Sequence, residues 1–319
     1  MNKYIFSTVI LFLILVITSC YRDITLDVDD SEQKIVLQGI FFSDSLIMIH
    51  VSKSVNINYN DNQEMPVITD AKVSLYKDGE FVEVMLHKSK GLYKSTVLAE
   101  AGHSYEVIVE TNNKVVKGTV DMPEIAQIDG IKYIGKDQNQ WMDVIELSFS
   151  DQLNIDDYYL FDGYTYYKSY YYNDTGWYDS VDVYKDDWVT IYLPEGMTNG
   201  TINYLYFYPY VTDGIGFTDN LIGNGEVHQQ LNVSAYSWDE FYPQDSFTVY
   251  FNLLHVNEDV YRFFVSNDNY ENSLYNPFVE PVNVYSNIEG GIGIFAAFSL
   301  SLDSVKLPIT DYYWEDKKH

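Results

Sequence analysis

The sequence predicts a mainly β fold in two parts, an N-terminal β-sandwich and a larger β-rich domain with one helix. Short runs rich in β-branched and aromatic residues recur from residue 34 onward, and turn residues separate them. The chain contains 31 tyrosines, a residue that suits half-buried strands. Only one segment, near residues 258–269, has the apolar spacing of an amphipathic helix.

Residues 34–122 form the first predicted domain. Its apolar runs are separated by turn signals such as Lys77-Asp78-Gly79 and Lys90-Gly91, and several alternate with a period of two. About seven strands at this spacing predict a sandwich. Residues 67–120 also resemble the small Ig-like modules of the carboxypeptidase-regulatory-like type. The segment Met122-Pro123-Glu124 breaks the pattern and is the predicted domain boundary.

Residues 125–319 form the second predicted domain, which is also mostly β. Its helix is predicted from Glu258 to about residue 269, because Asn257 is a suitable N-cap. Val260, Phe263 and Phe264 have the i, i+3, i+4 spacing of an apolar helix face, which we expect to pack on the sheet of this domain. Strands are predicted at residues 142–150, 158–172, 178–184, 188–193, 201–208, 228–235, 247–255, 282–285 and 292–299.

Residues 1–19 are predicted to be a lipoprotein signal peptide. An apolar run of 13 residues, 5–17, follows Lys3, and it is shorter than the roughly 20 residues that span a bilayer. Ile17-Thr18-Ser19-Cys20 resembles the lipobox read by lipoprotein signal peptidase. That resemblance implies that Cys20 is lipidated and becomes the new N-terminus. The alternatives are an ordinary cleavable signal with an unrelated cysteine, or an uncleaved anchor.

Residues 20–33 are predicted to be an acidic tether, because five of them are acidic. Acidic residues soon after the lipidated cysteine resemble the signal that sends lipoproteins of the Bacteroidota to the cell surface. We therefore expect an outer-membrane, lipid-anchored protein that faces the cell exterior. The alternative is a plain polar linker.

Composition excludes several classes of function. The net charge is −28, and −29 once residues 1–19 are removed, so nucleic acid is a poor partner. Cys20 is the single cysteine, so the body after it has no disulfide, zinc–thiolate site or cysteine nucleophile. No metal site and no cofactor are predicted, although a calcium site assembled from distant loops stays open. No catalytic motif is present, which favours a protein that is not an enzyme.

The densest local feature is a run of tyrosines at residues 164–172. Aromatic residues occupy both odd and even positions, so one buried strand face cannot hide them all. Tyrosine and tryptophan are frequent anchors in contacts with sugars and proteins. The alternative is a long two-stranded ribbon with tyrosine on both faces. The candidate ligand or partner contacts are Tyr166, Tyr167, Tyr170, Tyr171, Tyr172, Trp177 and Tyr178.

A glycine-rich segment lies near the C-terminus. Residues 287–295 read NIEGGIGIF, and no Lys-Ser/Thr pair follows the glycines as it would in a phosphate-binding loop. A bulge or tight backbone packing beside a buried strand therefore fits better. The segment resembles the C-terminal signature of a family of Bacteroidota lipoproteins catalogued as domain of unknown function 4249. The signature residues, taken as structural, are Asn287, Glu289, Gly290, Gly291, Gly293 and Phe295.

The resemblance extends over essentially the whole mature chain and implies a location and a partner, but no catalytic residues. It implies an outer-membrane lipoprotein that acts as a non-catalytic accessory or binding partner of a TonB-dependent receptor. The membrane would be contacted through the lipid anchor. The alternatives are an adhesin-like surface protein that binds a glycan or peptide, and a component of envelope assembly.

Overall fold

The computed structural model describes residues 33–55, 66–111, 114–150, 157–169, 172–173, 176–177, 182–192, 203–207, 211–218, 225–235, 246–274 and 282–308. The described chain is mainly β, as predicted, with twenty strands and one helix. Nearly all of it belongs to one compact unit formed by Lys34–Ser54 and Met65–His319. The other unit, Met1–Gln33 with Val55–Glu64, lies almost wholly outside the described residues.

The strands fall into two groups along the chain. The first group is β1 (Ile35–Phe42), β2 (Leu46–Lys53), β3 (Lys72–Lys77), β4 (Glu80–Val84), β5 (Leu86–Ser89), β6 (Leu92–Leu98), β7 (Ser104–Glu110) and β8 (Val115–Asp121). The second group is β9 (Ile128–Lys136), β10 (Asp143–Ser150), β11 (Tyr158–Ser169), β12 (Tyr172–Asn173), β13 (Gly176–Trp177), β14 (Asp182–Tyr192), β15 (Asn203–Phe207), β16 (Val211–Thr218), β17 (Glu226–Ala235), β18 (Ser246–Val256), β19 (Ile288–Glu289) and β20 (Ile292–Pro308). The helix is α1 (Glu258–Leu274).

Two sheets contain all but the short β12–β13 pair. The smaller sheet has five strands in the order β19-β8-β7-β3-β4. The larger follows the order β5-β6-β2-β1-β20-β18-β11-β14-β17-β10-β9, with β15 and β16 attached beside β11. The chain crosses between the sheets at buried Met85, which separates β4 from β5. Residues 80–89 therefore contribute one strand to each sheet.

The first core lies between the two sheets and includes residues from both ends of the chain. Leu37 and Phe41 of β1 are buried in it beside Phe295 of β20. Strand β1 pairs in parallel with β20, from Val36 opposite Ile292 to Phe42 opposite Phe298. The sandwich predicted for residues 34–122 is thus completed by β19 and β20. The larger sheet also continues past the predicted boundary, and the division into two domains stays a prediction.

The second core is enclosed by β9–β11, β14, β16–β18 and the second half of β20. Phe161 of β11 stacks on Phe251 of β18, with ring centroids 5.3 Å apart. The backbone N–H of Ile128 in β9 donates to Ser301 Oγ of β20 at 3.0 Å. Edge strand β9 therefore lies beside the second half of β20, beyond the residues of β20 that pair with β1, so the strands from β20 to β9 surround this core.

The predicted helix is confirmed, and it extends five residues beyond its expected end. Asn257 is its N-cap, because its Oδ1 accepts the backbone N–H of Val260 at 3.0 Å. Phe264 packs against Phe298 of β20, with centroids 5.7 Å apart, within the first core cluster. The helix α1 thus packs on β15, β20 and β11, which are strands of residues 125–319 as expected, and its apolar side chains join the first core. Among the described residues, no helix has both the length and the apolarity of a membrane span.

The predicted strand at residues 282–285 is wrong, because this segment follows the helix instead of joining a sheet. The Tyr285 hydroxyl donates to Asp259 Oδ1 at 2.6 Å, and its N–H donates to Ser266 Oγ at 2.8 Å. The Arg262 guanidinium lies 4.5 Å from the ring centroid. Burial, followed by the hydrogen bond to Asp259, raises the pKa of Tyr285 to about 12.

Candidate functional site

Three tyrosines form a cluster on the outer face of the larger sheet, and we call this cluster the tyrosine surface. Tyr164 of β11 lies opposite Tyr250 of β18, and their rings stack with centroids 5.4 Å apart and planes 13° apart. Tyr166 meets both rings edge-on, at 5.5 and 5.3 Å. Tyr166 is 51% exposed. The cluster is therefore an accessible aromatic contact held by two paired strands.

Strand alternation explains why these tyrosines face outward. Tyr159 and Phe161 point into the second core, so the even-numbered positions of β11 point to the other face. Burial, followed by the neighbouring Tyr166, raises the pKa of Tyr164 to about 12. Its hydroxyl therefore keeps its proton to a higher pH than the hydroxyl of an ordinary tyrosine.

The remaining predicted contact residues are only partly described. The backbone of Tyr167 belongs to β11, and the backbone of Tyr172 lies opposite that of Trp177 in the β12–β13 pair. Tyr170, Tyr171 and Tyr178 lie outside the described residues.

The structure adds Tyr250, which sequence reasoning missed. Tyr250 is 84 positions from Tyr166 in the chain, and only the register of β11 with β18 brings the two together.

The tyrosine surface lies far from the place where the tether joins the body. We call that place, where Lys34 leads into β1, the entry end, and the opposite end, at Pro308 of β20, the exit end. Strand β20 begins beside β1, and Ser304 lies opposite Tyr250. Twelve residues separate Ile292 from Ser304, which corresponds to about 40 Å along a strand. The aromatic contacts therefore lie toward the exit end.

A second exposed aromatic residue, also missed from sequence, lies on the turn between β9 and β10. Trp141 is 74% exposed. Asp137 Oδ1 accepts the backbone N–H of Trp141 at 2.6 Å and that of Met142 at 2.9 Å. These backbone hydrogen bonds lower the pKa of Asp137. The turn therefore presents Trp141 on an ordered backbone, which is typical of an interface anchor.

The side chain of Asn287 makes the hydrogen bonds that a neighbouring strand would otherwise make, at the segment that links the two sheets. Asn287 Nδ2 donates to the carbonyl oxygen of Phe295 at 2.8 Å, and Asn287 Oδ1 accepts the N–H of Phe295 at 2.9 Å. Phe295 is fully buried. Its backbone groups would otherwise lack partners on this side of β20, so one side chain satisfies a donor and an acceptor together.

The signature glycines lie where the backbone turns from β19 to β20 against other backbone. Gly293 has φ +124°, and a Cβ at this position would lie 2.0 Å from the Leu37 carbonyl oxygen. A Cβ at Gly291 would lie 2.6 Å from the Ile35 carbonyl oxygen. Glu289 is exposed. The pKa of Lys117 is raised mainly by Glu106, and the negative charge of Glu289 raises it further. The segment is thus a packed structural joint, with no cradle that a phosphate could enter.

A buried polar contact fixes the segment that was predicted as the domain boundary. His255 Nδ1 lies 2.8 Å from the Glu124 carbonyl oxygen, and His255 Nε2 lies 2.9 Å from Asp157 Oδ1. Both side chains are buried, and Ser299 Oγ donates to the Pro123 carbonyl oxygen nearby. Asp157 Oδ2 has no hydrogen-bond partner among the described residues. The arrangement joins β18, β20 and the start of β11 to residues 123–124.

The described residues show no constellation with catalytic or metal-binding geometry. No three His, Cys, Asp or Glu side chains in this part of the chain come together as metal ligands. Ser148 Oγ lies 2.9 Å from His228 Nδ1, but the nearby Asp129 accepts a hydrogen bond from Ser150 instead. A nucleophile also needs a base held by a third group, and the described residues near this pair supply none.

Comparison with protein-family models gives a match. A family model described as Domain of unknown function (DUF4249) matches residues 21–301, a range that includes both cores and the glycine-rich joint. The search of curated proteins found no match.

Proposed function

We propose that this chain, which belongs to the family of domain of unknown function DUF4249, is a lipid-anchored binding protein of the outer membrane. In this proposal Cys20 carries the lipid, and the body faces the cell exterior. The protein serves a TonB-dependent transport system as an accessory partner and catalyses no reaction. The Ig-like character of its first sandwich is part of the same proposal.

The tyrosine surface is the observation that carries this function. Stacked and edge-on tyrosines on a rigid pair of strands supply apolar contact area and neutral hydroxyl donors at a low cost in side-chain entropy. Their place about 40 Å along β20 from the entry end keeps them away from the anchor. A protein that only filled space in the envelope would have no need of an exposed aromatic cluster at this position.

The decisive experiment removes the tyrosine surface and leaves the fold intact. We expect Tyr166→Ala combined with Tyr250→Ala to reduce co-purification of a TonB-dependent receptor from detergent-solubilised outer membranes at least tenfold. The matched control is Phe81→Ala, which removes another exposed aromatic residue, 57% accessible, from β4 in the smaller sheet. Unchanged co-purification of the tyrosine variant would contradict the proposal.

The same stacked rings also favour a second candidate function, the binding of a glycan or peptide. This function predicts a different experimental result. The wild-type protein would then be retained on a glycan or peptide array, and the tyrosine variant would lose that retention while no receptor co-purifies. Retention on neither array, with no receptor, would refute a binding role for this surface.

The lipid anchor has its own test. Metabolic labelling with a palmitate analogue should label the wild-type protein, and Cys20→Ser should abolish both the label and the membrane association. A Cys20→Ser protein that stays with the membrane after a high-salt wash would show that the anchor is not at this cysteine.

A further inference from the structure

The two parts of the chain differ strongly in charge. Residues 34–122 contain nine lysines and eleven acidic residues, which gives a net charge of −2. Residues 125–319 contain eight basic and thirty acidic residues, which gives −22. Most of the net negative charge therefore belongs to the part of the chain that carries the tyrosine surface.

The lysines of the first part collect at the entry end. Lys34 immediately precedes β1, and Lys53 lies opposite Ile35 at the end of β2. Lys88 and Lys90 lie at the turn between β5 and β6, where the Lys90 carbonyl oxygen contacts His50 Nε2 at 2.8 Å. All four lysines are exposed. Within the described residues, none of the four forms an ion pair.

The other charged groups at the entry end do not neutralise these four lysines. Lys72 and Lys117 are paired with Glu110 and Glu106. Among the described residues, the remaining acidic side chains at this end are Asp70 and Glu289. The four lysines outnumber these two acids, so the described part of this end is positive.

We propose that the entry end is a contact surface for anionic lipid phosphates and that it holds the anchored body upright on the membrane. The proposal rests on the lipid anchoring described above. Each lysine close to an anionic surface strengthens the contact about fivefold. The attraction acts only within a Debye length of about 8 Å, so it reaches the entry end and not the exit end.

The alternative orientation, with the body lying on the membrane, is disfavoured by the same charges. It would bring the part of the chain with a net charge of −22 within a Debye length of the lipid phosphates. The acids of residues 20–33 stay near the membrane in either orientation because of the anchor, so they do not decide between them. An upright body presents Tyr166 and Trp141 away from the membrane.

The test uses the single cysteine as an attachment point. The mature chain, Cys20 to His319, is coupled through Cys20 to a maleimide lipid in vesicles of phosphatidylcholine, with or without about one third phosphatidylglycerol. Lysine acetylation rates are then measured by mass spectrometry. We expect acetylation of Lys34, Lys53, Lys88 and Lys90 to slow at least threefold on the anionic vesicles. Exposed Lys132 and Lys306, in the second part of the chain, should react equally on both.

Salt and charge reversal sharpen the result. The protection should disappear in about 0.5 M salt, and Lys53→Glu with Lys90→Glu should remove it from Lys34 and Lys88. Lys132→Glu with Lys306→Glu, a matched charge change, should leave it intact. Equal rates on both vesicles, or slowed acetylation of Lys132 and Lys306, would overturn the proposal. Chemical coupling does not depend on lipidation in cells, so failure here is distinct from failure of the palmitate labelling.

Discussion

Asn287→Ala should be among the most destabilising single changes outside the two cores. The substitution removes both hydrogen bonds between the Asn287 amide and the backbone of Phe295, which lie at 2.8 and 2.9 Å. It leaves a donor and an acceptor of a fully buried residue without partners. Each such group costs about 1–3 kcal/mol, and we expect a total loss of about 2–4 kcal/mol in the free energy of unfolding.

Urea unfolding followed by tryptophan fluorescence measures this loss. With an m-value of about 3 kcal/mol per molar, the midpoint should fall by about 1 M. Asn283→Ala is the matched control, since Asn283 is exposed, lies four residues away and should shift the midpoint very little. Asn287→Asp discriminates further, because its second oxygen would face the Phe295 carbonyl oxygen and the variant should be no more stable than Asn287→Ala. A midpoint shift below about 0.2 M for Asn287→Ala would refute the argument.

Three further changes test other parts of the structure. Gly293→Ala should cost more than about 3 kcal/mol in thermal unfolding, because its Cβ would lie 2.0 Å from a carbonyl oxygen, whereas Gly79→Ala, with open space around it, should cost about 1 kcal/mol. His255→Ala leaves the buried Asp157 carboxylate without its partner and should cost about 3–5 kcal/mol, and the double variant with Asp157→Ala should cost less than the sum of the single changes. The pKa of Tyr285 in the folded state is raised to about 12. The stabilising contribution of Tyr285 is therefore complete below pH 10 and is lost as the pH rises toward 12. The free energy of unfolding of Tyr285→Phe should fall less steeply than that of the wild type between pH 10 and 12.

The helix was accessible from sequence because its signals are local. Asn257 and the apolar stripe at Val260, Phe263 and Phe264 all lie within eight residues, and the structure uses each as expected. The strand prediction at residues 282–285 failed for the opposite reason. Its composition suits a strand, but a tertiary hydrogen bond from Tyr285 to the helix decides its conformation.

Pairing between distant strands could not be read from the sequence. Nothing near Val36 indicates that Ile292 will lie beside it, so the contribution of β20 to the first sandwich was invisible. The same limit applies to the candidate surface. Tyr166 was identified from a local run of tyrosines, whereas Tyr250 and Trp141 are isolated in their own segments and become notable only through register and exposure.

The parallel pairing of β1 with β20 also has a consequence for synthesis. Leu37 and its partner Gly293 are separated by about 250 residues, which a ribosome adds in about 10–50 s at 5–20 residues per second. Throughout that interval one edge of β1 lacks its neighbour, and the Asn287 joint does not yet exist. A chain shortened before residue 286 would keep that edge open permanently and should be prone to aggregation and proteolysis. Strand β20 therefore sets the earliest moment at which the first sandwich can be complete.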